Sequence, residues 1–161
     1  MPNTETIVPH EITLLVEQKK FPEVEDQWIR LMETEPVELP VFFAIAASAK
    51  KKGNPVGAVG WLRLLADDRI RRGDAEGRLR VLEEIARMAP TDEAIRGELD
   101  AALKQRFAGH PALAAVLAKN PIVGATDPAG AAGRVERWLR FRPGDIYHLP
   151  GRGPGRIVEM N

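Results

Sequence analysis

Trp28-Ile-Arg-Leu-Met32 recurs as Trp61-Leu-Arg-Leu-Leu65, 33 residues further on. Each copy follows a basic cluster and a turn, Lys19-Lys20-Phe-Pro before the first and Lys51-Lys52-Gly-Asn-Pro before the second. A tryptophan followed by leucine at three residues and by methionine or leucine at four puts one apolar stripe on a helix. Both tryptophans are therefore expected in the core at matched positions. The alternative role, a ligand platform, has no second feature behind it.

Working outward, the same helical spacing covers most of the chain. His10 to Lys20 carries Ile12, Leu15 and Val16 on one side. The next helix carries Val24, Trp28, Leu31 and Met32 and is expected to stop at Pro36, which cannot continue it. Pro40 opens a third with Phe42, Phe43, Ile45, Ala46 and Ala49, and Gly53 stands where a C-cap glycine belongs. Asn54-Pro55 reads as N-cap and first position of a fourth, and Asp74 as the cap of a fifth. A sixth starts at Thr91-Asp92-Glu93 and a short seventh runs from His110 to Leu117. Short connections make consecutive helices antiparallel neighbours. A repeat of about 34 residues made of helical hairpins is the tetratricopeptide pattern. The expected fold is mainly α: a tetratricopeptide-like array over 1–119, followed by a small β element.

Two segments break the helical reading. Residues 120–133 hold prolines 121 and 128 and glycines 124, 130 and 133, and read as a linker. Residues 134–161 read as a helix over Arg134 to Phe141, a Gly144-Asp145 turn, and two strands. The strands are placed at Ile146 to Leu149 and Ile157 to Met160, with glycines 151, 153 and 155 in the turn between them. Two strands alone are marginal in water, so the β element reads as the start of a small barrel of the Tudor or SH3 kind, with Asn161 as a truncation point.

Composition narrows the chemistry. No cysteine is present, which removes thiolate catalysis and cysteine-based metal sites and agrees with a cytoplasmic location. No run of 18 apolar residues suggests a membrane span, and no signal peptide is evident at the N-terminus. Formal net charge is zero, so direct nucleic-acid binding by the whole chain is not expected. The three histidines, His10, His110 and His148, lie far apart in the sequence and show no metal-ligand spacing. His10 reads as a cap of the first helix and His110 as a helix-start residue. Glu83, Glu84 and Arg87 read as a solvated, charge-paired helix face. Gly151-Arg-Gly-Pro-Gly-Arg156 fails as a phosphate loop, because a strand rather than a helix N-terminus is expected to follow it. No catalytic residue, cofactor or metal is expected.

One local bias remains. Six arginines (134, 137, 140, 142, 152, 156) stand against Glu136 and Asp145. Arginine favours bidentate contacts with carboxylate or phosphate. The cluster is either an ordinary solvated basic surface or a docking surface for an acidic protein or a nucleic-acid backbone. Trp138, beside the linker, is an interfacial candidate.

The block Phe141-x-x-Gly-Asp-x-x-His148-x-x-Gly-x-Gly-x-Gly155-x-Ile-x-Glu159 resembles the opening of the small β-barrels that bind bacterial RNA polymerase, as in the CarD family and in transcription-repair coupling factors. With Arg134-Val-Glu-Arg-Trp-Leu-Arg-Phe and the helices before it, the chain resembles the N-terminal region of long-form Gre-type transcription elongation factors. The Gre coiled coil itself is not in this sequence, so no catalytic residue carries over. The resemblance implies a non-catalytic, cytoplasmic interaction module that recruits its protein to bacterial RNA polymerase. The partner-binding candidates are Arg134, Arg137, Trp138, Arg142, Tyr147, His148, Arg152 and Arg156. The alternative is a tetratricopeptide-like scaffold that binds a peptide and has no tie to transcription.

Overall fold

Three helix-to-helix turns are built alike. They span residues 18–20, 52–54 and 72–74, and each has a left-handed residue in the middle: Lys19 (φ 57°), Gly53 (φ 98°) and Gly73 (φ 70°). In each, the next residue's N–H reaches back five positions, Lys20 to Leu15 O, Asn54 to Ala49 O and Asp74 to Arg69 O, all at 2.9 Å. This is the bond that closes a helix C-terminus when the residue after the cap turns left-handed. Glycine adopts that conformation freely, whereas Lys19 does so at a steric cost.

The computed structural model describes residues 8–34, 37–142, 144–149 and 151–158. It divides the chain into two compact units, Met1–Ala89 and Pro90–Asn161. The first holds α1 (His10–Glu17), α2 (Phe21–Glu33), α3 (Leu39–Lys51), α4 (Pro55–Arg71) and α5 (Ala75–Met88). The second holds α6 (Glu93–Arg106), α7 (Leu113–Lys119), α8 (Pro128–Leu139), β1 (Ile146–Leu149) and β2 (Gly153–Arg156). The protein is mainly helical, and among the described residues no helix is long and apolar enough to cross a membrane.

In the first unit α1 packs on α2, α3 on α4, and α4 on α5, while α2 also meets α4. The core is the stripe the sequence indicates: Ile12, Val16, Val24, Phe42, Ile45, Leu62, Leu65, Leu79, Leu82 and Ile85 are buried. Trp28 and Trp61 are buried side by side, with ring centroids 5.9 Å apart. Phe42 meets Trp28 edge-on at 4.9 Å. The Trp61 indole donates to Glu25 Oε2 at 3.2 Å, whereas the buried Trp28 Nε1 has no acceptor among the described residues. Caps follow the expected residues: Asn54 accepts from the Gly57 N–H and Asp74 from the Gly77 N–H. Arg72 donates to Met32 O at 2.6 Å. It thereby satisfies a carbonyl in the last turn of α2, where no intrahelical donor remains. Ion pairs tie the surface, Lys52 to Glu17 at 2.5 Å among them.

Four expectations need correction. His10 is the first residue of α1 and makes no capping bond; Pro9 holds the cap position. Glu83 is only 3% exposed, because its face of α5 turns inward. It bonds Arg80 at 2.8 Å, and Arg87 instead pairs with Glu84 at 2.6 Å. The expected linker is half helix. Asp127 caps α8 through the Gly130 N–H at 2.9 Å, Pro128 takes the first turn, and Ala129, Ala131 and Ala132 are buried. Ile122, ahead of it, is buried too. The small side chains that suggested looseness let the helix lie close to its neighbours. The second strand sits earlier than expected, at Gly153–Arg156, because the chain reverses already at Gly151-Arg152. Pro36, Glu159, Met160 and the truncation read at Asn161 lie outside the described residues.

Candidate partner-binding surface

The surface belongs to the second unit and starts from α8, which packs against α6 and α7. Ala131, Ala132, Val135 and Leu139 form its buried side. Arg134, Arg137, Trp138 and Phe141, spaced i, i+3, i+4 and i+7, form the other side and are exposed. Residues at that spacing are neighbours on one helix face. Trp138 is 56% exposed, which is unusual for a side chain with so much apolar area to bury. Arg134 Nε donates to Asn120 Oδ1 at 3.2 Å, fixing its stem along the helix.

His110 sets where this face ends. It is buried just ahead of α7. Its Nδ1 accepts the Ala112 N–H at 3.1 Å, so the proton sits on Nε2 and is donated to Phe141 O at 2.9 Å. Phe141 follows the α8 C-terminus, where carbonyls lack helical donors. The imidazole supplies one and pins the chain as it leaves the helix. The reading of His110 as a helix-start residue is correct but incomplete. Nothing in the sequence signals the bond to Phe141, 31 positions away.

From there the chain turns through Arg142 to Asp145. Gly144 is left-handed at φ 96°, the Asp145 N–H donates to Arg142 O at 3.0 Å, and the Asp145 carboxylate accepts the Arg142 N–H at 2.6 Å. β1 and β2 then pair antiparallel, Ile146 with Arg156, Tyr147 with Gly155, His148 with Pro154 and Leu149 with Gly153. Directly opposed residues share a face. One face therefore carries Ile146, His148, Pro154 and Arg156. In the register Tyr147 stands opposite Gly155 and Leu149 opposite Gly153.

The register also fixes the edges. Ile157 bonds across the ladder with both its groups, its N–H to Asp145 O and its C=O from the Gly144 N–H. Bonded and non-bonded pairs alternate along an antiparallel ladder. Gly155 and Gly153 are then turned inward, and Pro154 and Arg156 outward. On β1 the outward residues are Ile146 and His148, whose N–H and C=O groups have no partner among the described residues. The β1 edge can accept another strand. The β2 edge is interrupted at Pro154, which has no N–H to offer.

Arg137, Arg140, Arg142, Arg152 and Arg156 form no ion pair among the described residues, and all five are exposed. Elsewhere the pattern differs: Arg69, Arg71, Arg72, Arg80 and Arg87 all pair with a carboxylate. Of the eight candidate residues, Arg134, Arg137 and Trp138 come together on one face of α8. Arg142 lies on the turn that follows, and Tyr147, His148, Arg152 and Arg156 lie on the hairpin. Phe141 belongs with them and was not among the candidates; its place at i+7 from Arg134 was the available signal. Among the described residues no group of three or more His, Asp or Glu side chains is placed to hold a metal ion. No protein-family model, curated protein or solved structure matches the chain.

Proposed function

We propose that the chain is a non-catalytic protein-interaction module that holds an acidic protein surface against the exposed face of α8 and the hairpin after it. The observation that carries this reading is the set of exposed arginines without ion pairs among the described residues, on α8 beside Trp138, on the turn after it and on the hairpin. Guanidinium groups with unused donors match carboxylates bidentately. An exposed indole and phenyl ring among them supply the apolar contact on which binding energy concentrates. The open β1 edge adds backbone groups that an extended partner strand can pair with. Together with the resemblance of residues 141–159 to polymerase-binding barrels, this favours bacterial RNA polymerase as the partner, in a Gre-type elongation context. The test is pull-down and fluorescence anisotropy of the chain with bacterial RNA polymerase at low and moderate salt. Binding should weaken with salt, as screening acts on exposed charges, and again in Arg137→Ala/Trp138→Ala and Arg152→Ala/Arg156→Ala. Binding that ignores all four substitutions would remove this surface from consideration.

A further inference from the structure

Between α2 and α4 of the first unit runs a groove of about 530 Å³, lined by Ile29, Met32, Glu33, Leu64, Asp67, Asp68, Arg71 and Arg72. Its floor is apolar and open. Ile29 from α2 and Leu64 from α4 are each 41% exposed, and Met32 lies between the helices half-buried. Its lining carries three carboxylates, Glu33, Asp67 and Asp68, against two guanidinium groups, Arg71 and Arg72. Asp68 is neutralised within the protein by Arg72 at 2.7 Å and Arg71 at 3.7 Å. Arg72 is further held by Met32 O. Glu33 on one wall and Asp67 on the other are exposed and have no ion pair or hydrogen bond among the described residues. An apolar floor between two unneutralised carboxylates selects a ligand with one apolar side chain and cations on either side of it.

We infer that this groove docks a short peptide of a partner protein, with a leucine- or methionine-like anchor on Ile29, Met32 and Leu64 and flanking lysine or arginine on Glu33 and Asp67. The site lies wholly in the first unit. It stands independently of the basic surface proposed above and would hold if polymerase binding failed. The two helices that wall it, α2 and α4, are joined by Trp28 against Trp61 and by the Trp61–Glu25 bond. A preformed groove spares the ligand the cost of ordering its site.

The experiment uses the full chain and two fluorescein-labelled probes in a Gly-Ser background, one with a single leucine flanked by lysines, the other with glutamates in place of the lysines. The lysine probe should bind saturably, and the glutamate probe at least about tenfold more weakly. Glu33→Gln/Asp67→Asn should weaken the lysine probe by about three- to tenfold, the scale of two partly exposed ion pairs. Leu64→Ser should weaken both probes. Circular dichroism establishes that each variant is folded, and Arg137→Ala should bind the lysine probe like wild type. Equal affinity for the two probes, no saturable binding of the lysine probe, or unchanged binding by the folded double variant overturns the proposal. Sedimentation provides the other decisive result: a dimer that Leu64→Ser dissolves and the lysine probe does not displace means that a second copy of the chain fills the groove instead.

Discussion

Trp28→Ala should be the most damaging single substitution in the first unit. The side chain is fully buried, edge-on to Phe42 at 4.9 Å and tilted against Trp61 at 5.9 Å. Removing a buried tryptophan costs about 3–5 kcal/mol through lost transfer energy and the cavity left behind. Two aromatic contacts vanish as well, each worth about 0.5–1.5 kcal/mol beyond its area. One contribution runs the other way. The Trp28 Nε1–H is buried without an acceptor among the described residues, and deleting such a donor returns about 1 kcal/mol. The net expectation is about 3–7 kcal/mol, a large part of a typical domain's stability of about 5–15 kcal/mol. Trp28→Phe separates the terms. It keeps a ring in the slot and removes the unpaired donor, so it should cost under about 2 kcal/mol. Trp61→Phe also breaks the bond to Glu25 and should cost more than Trp28→Phe. Urea melts followed by far-ultraviolet circular dichroism give all three values. A cost under about 1 kcal/mol for Trp28→Ala, or equal costs for Trp28→Phe and Trp28→Ala, would falsify the core assignment made from these packing contacts.

Three further outcomes are expected. His110→Ala leaves the Phe141 carbonyl and the Ala112 N–H without their partner; it should cost about 1–3 kcal/mol and speed amide exchange around residues 140–142, and exchange equal to wild type there would refute the pinning role. Lys19→Gly should relieve the left-handed strain at φ 57° and stabilise the first unit by roughly 0.5–1 kcal/mol, read as a higher urea midpoint; a lower midpoint would show that the lysine side chain contributes more than the backbone strain costs. Asp74→Ala loses the cap on the Gly77 N–H and the pair with Arg69 at 3.4 Å and should cost about 1–2 kcal/mol, while Asp74→Asn, which still caps, should cost less; equal losses from the two would mean that capping is not what Asp74 does.

Much of the helical part is legible in the sequence because its signals are local. A cap residue, a proline at the first turn, an apolar stripe and a closing glycine lie within one helix, as from Asn54 to Gly73. Misreadings come where local composition and tertiary context disagree. Residues 127–133 look like a linker because glycine and alanine are counted as loose, yet Asp127-Pro128 already carries the cap and first-turn signature. Burial of the alanines, not propensity, holds that helix. Glu83 looks solvated because charge alone was considered; its neighbours at 79, 82 and 86 are all core, and the α5 buried face is wide enough to include it. The β2 register moved because β-branched Ile157-Val158 attracted the strand assignment, whereas backbone pairing across Tyr147 and Gly155 sets it. At the candidate surface the arginine excess and Trp138 are visible in sequence. The missing ion pairs, the bond from His110 to Phe141 and the α2–α4 groove depend on distances between elements and are not.

The unequal edges of the hairpin have a consequence for assembly. A filament of strands grows only if every member is adhesive on both sides, one edge to take the growing end and one to become it. This hairpin has a single adhesive side. Two copies can meet through β1, each edge facing its own twin around a two-fold axis, and the resulting four-stranded ribbon then presents only β2 edges, where Pro154 breaks the row of donors. Association along this route stops at two. Proline at position 154 thus acts as a terminator, and replacing it with a residue that carries an N–H would turn a self-limiting contact into one that can propagate.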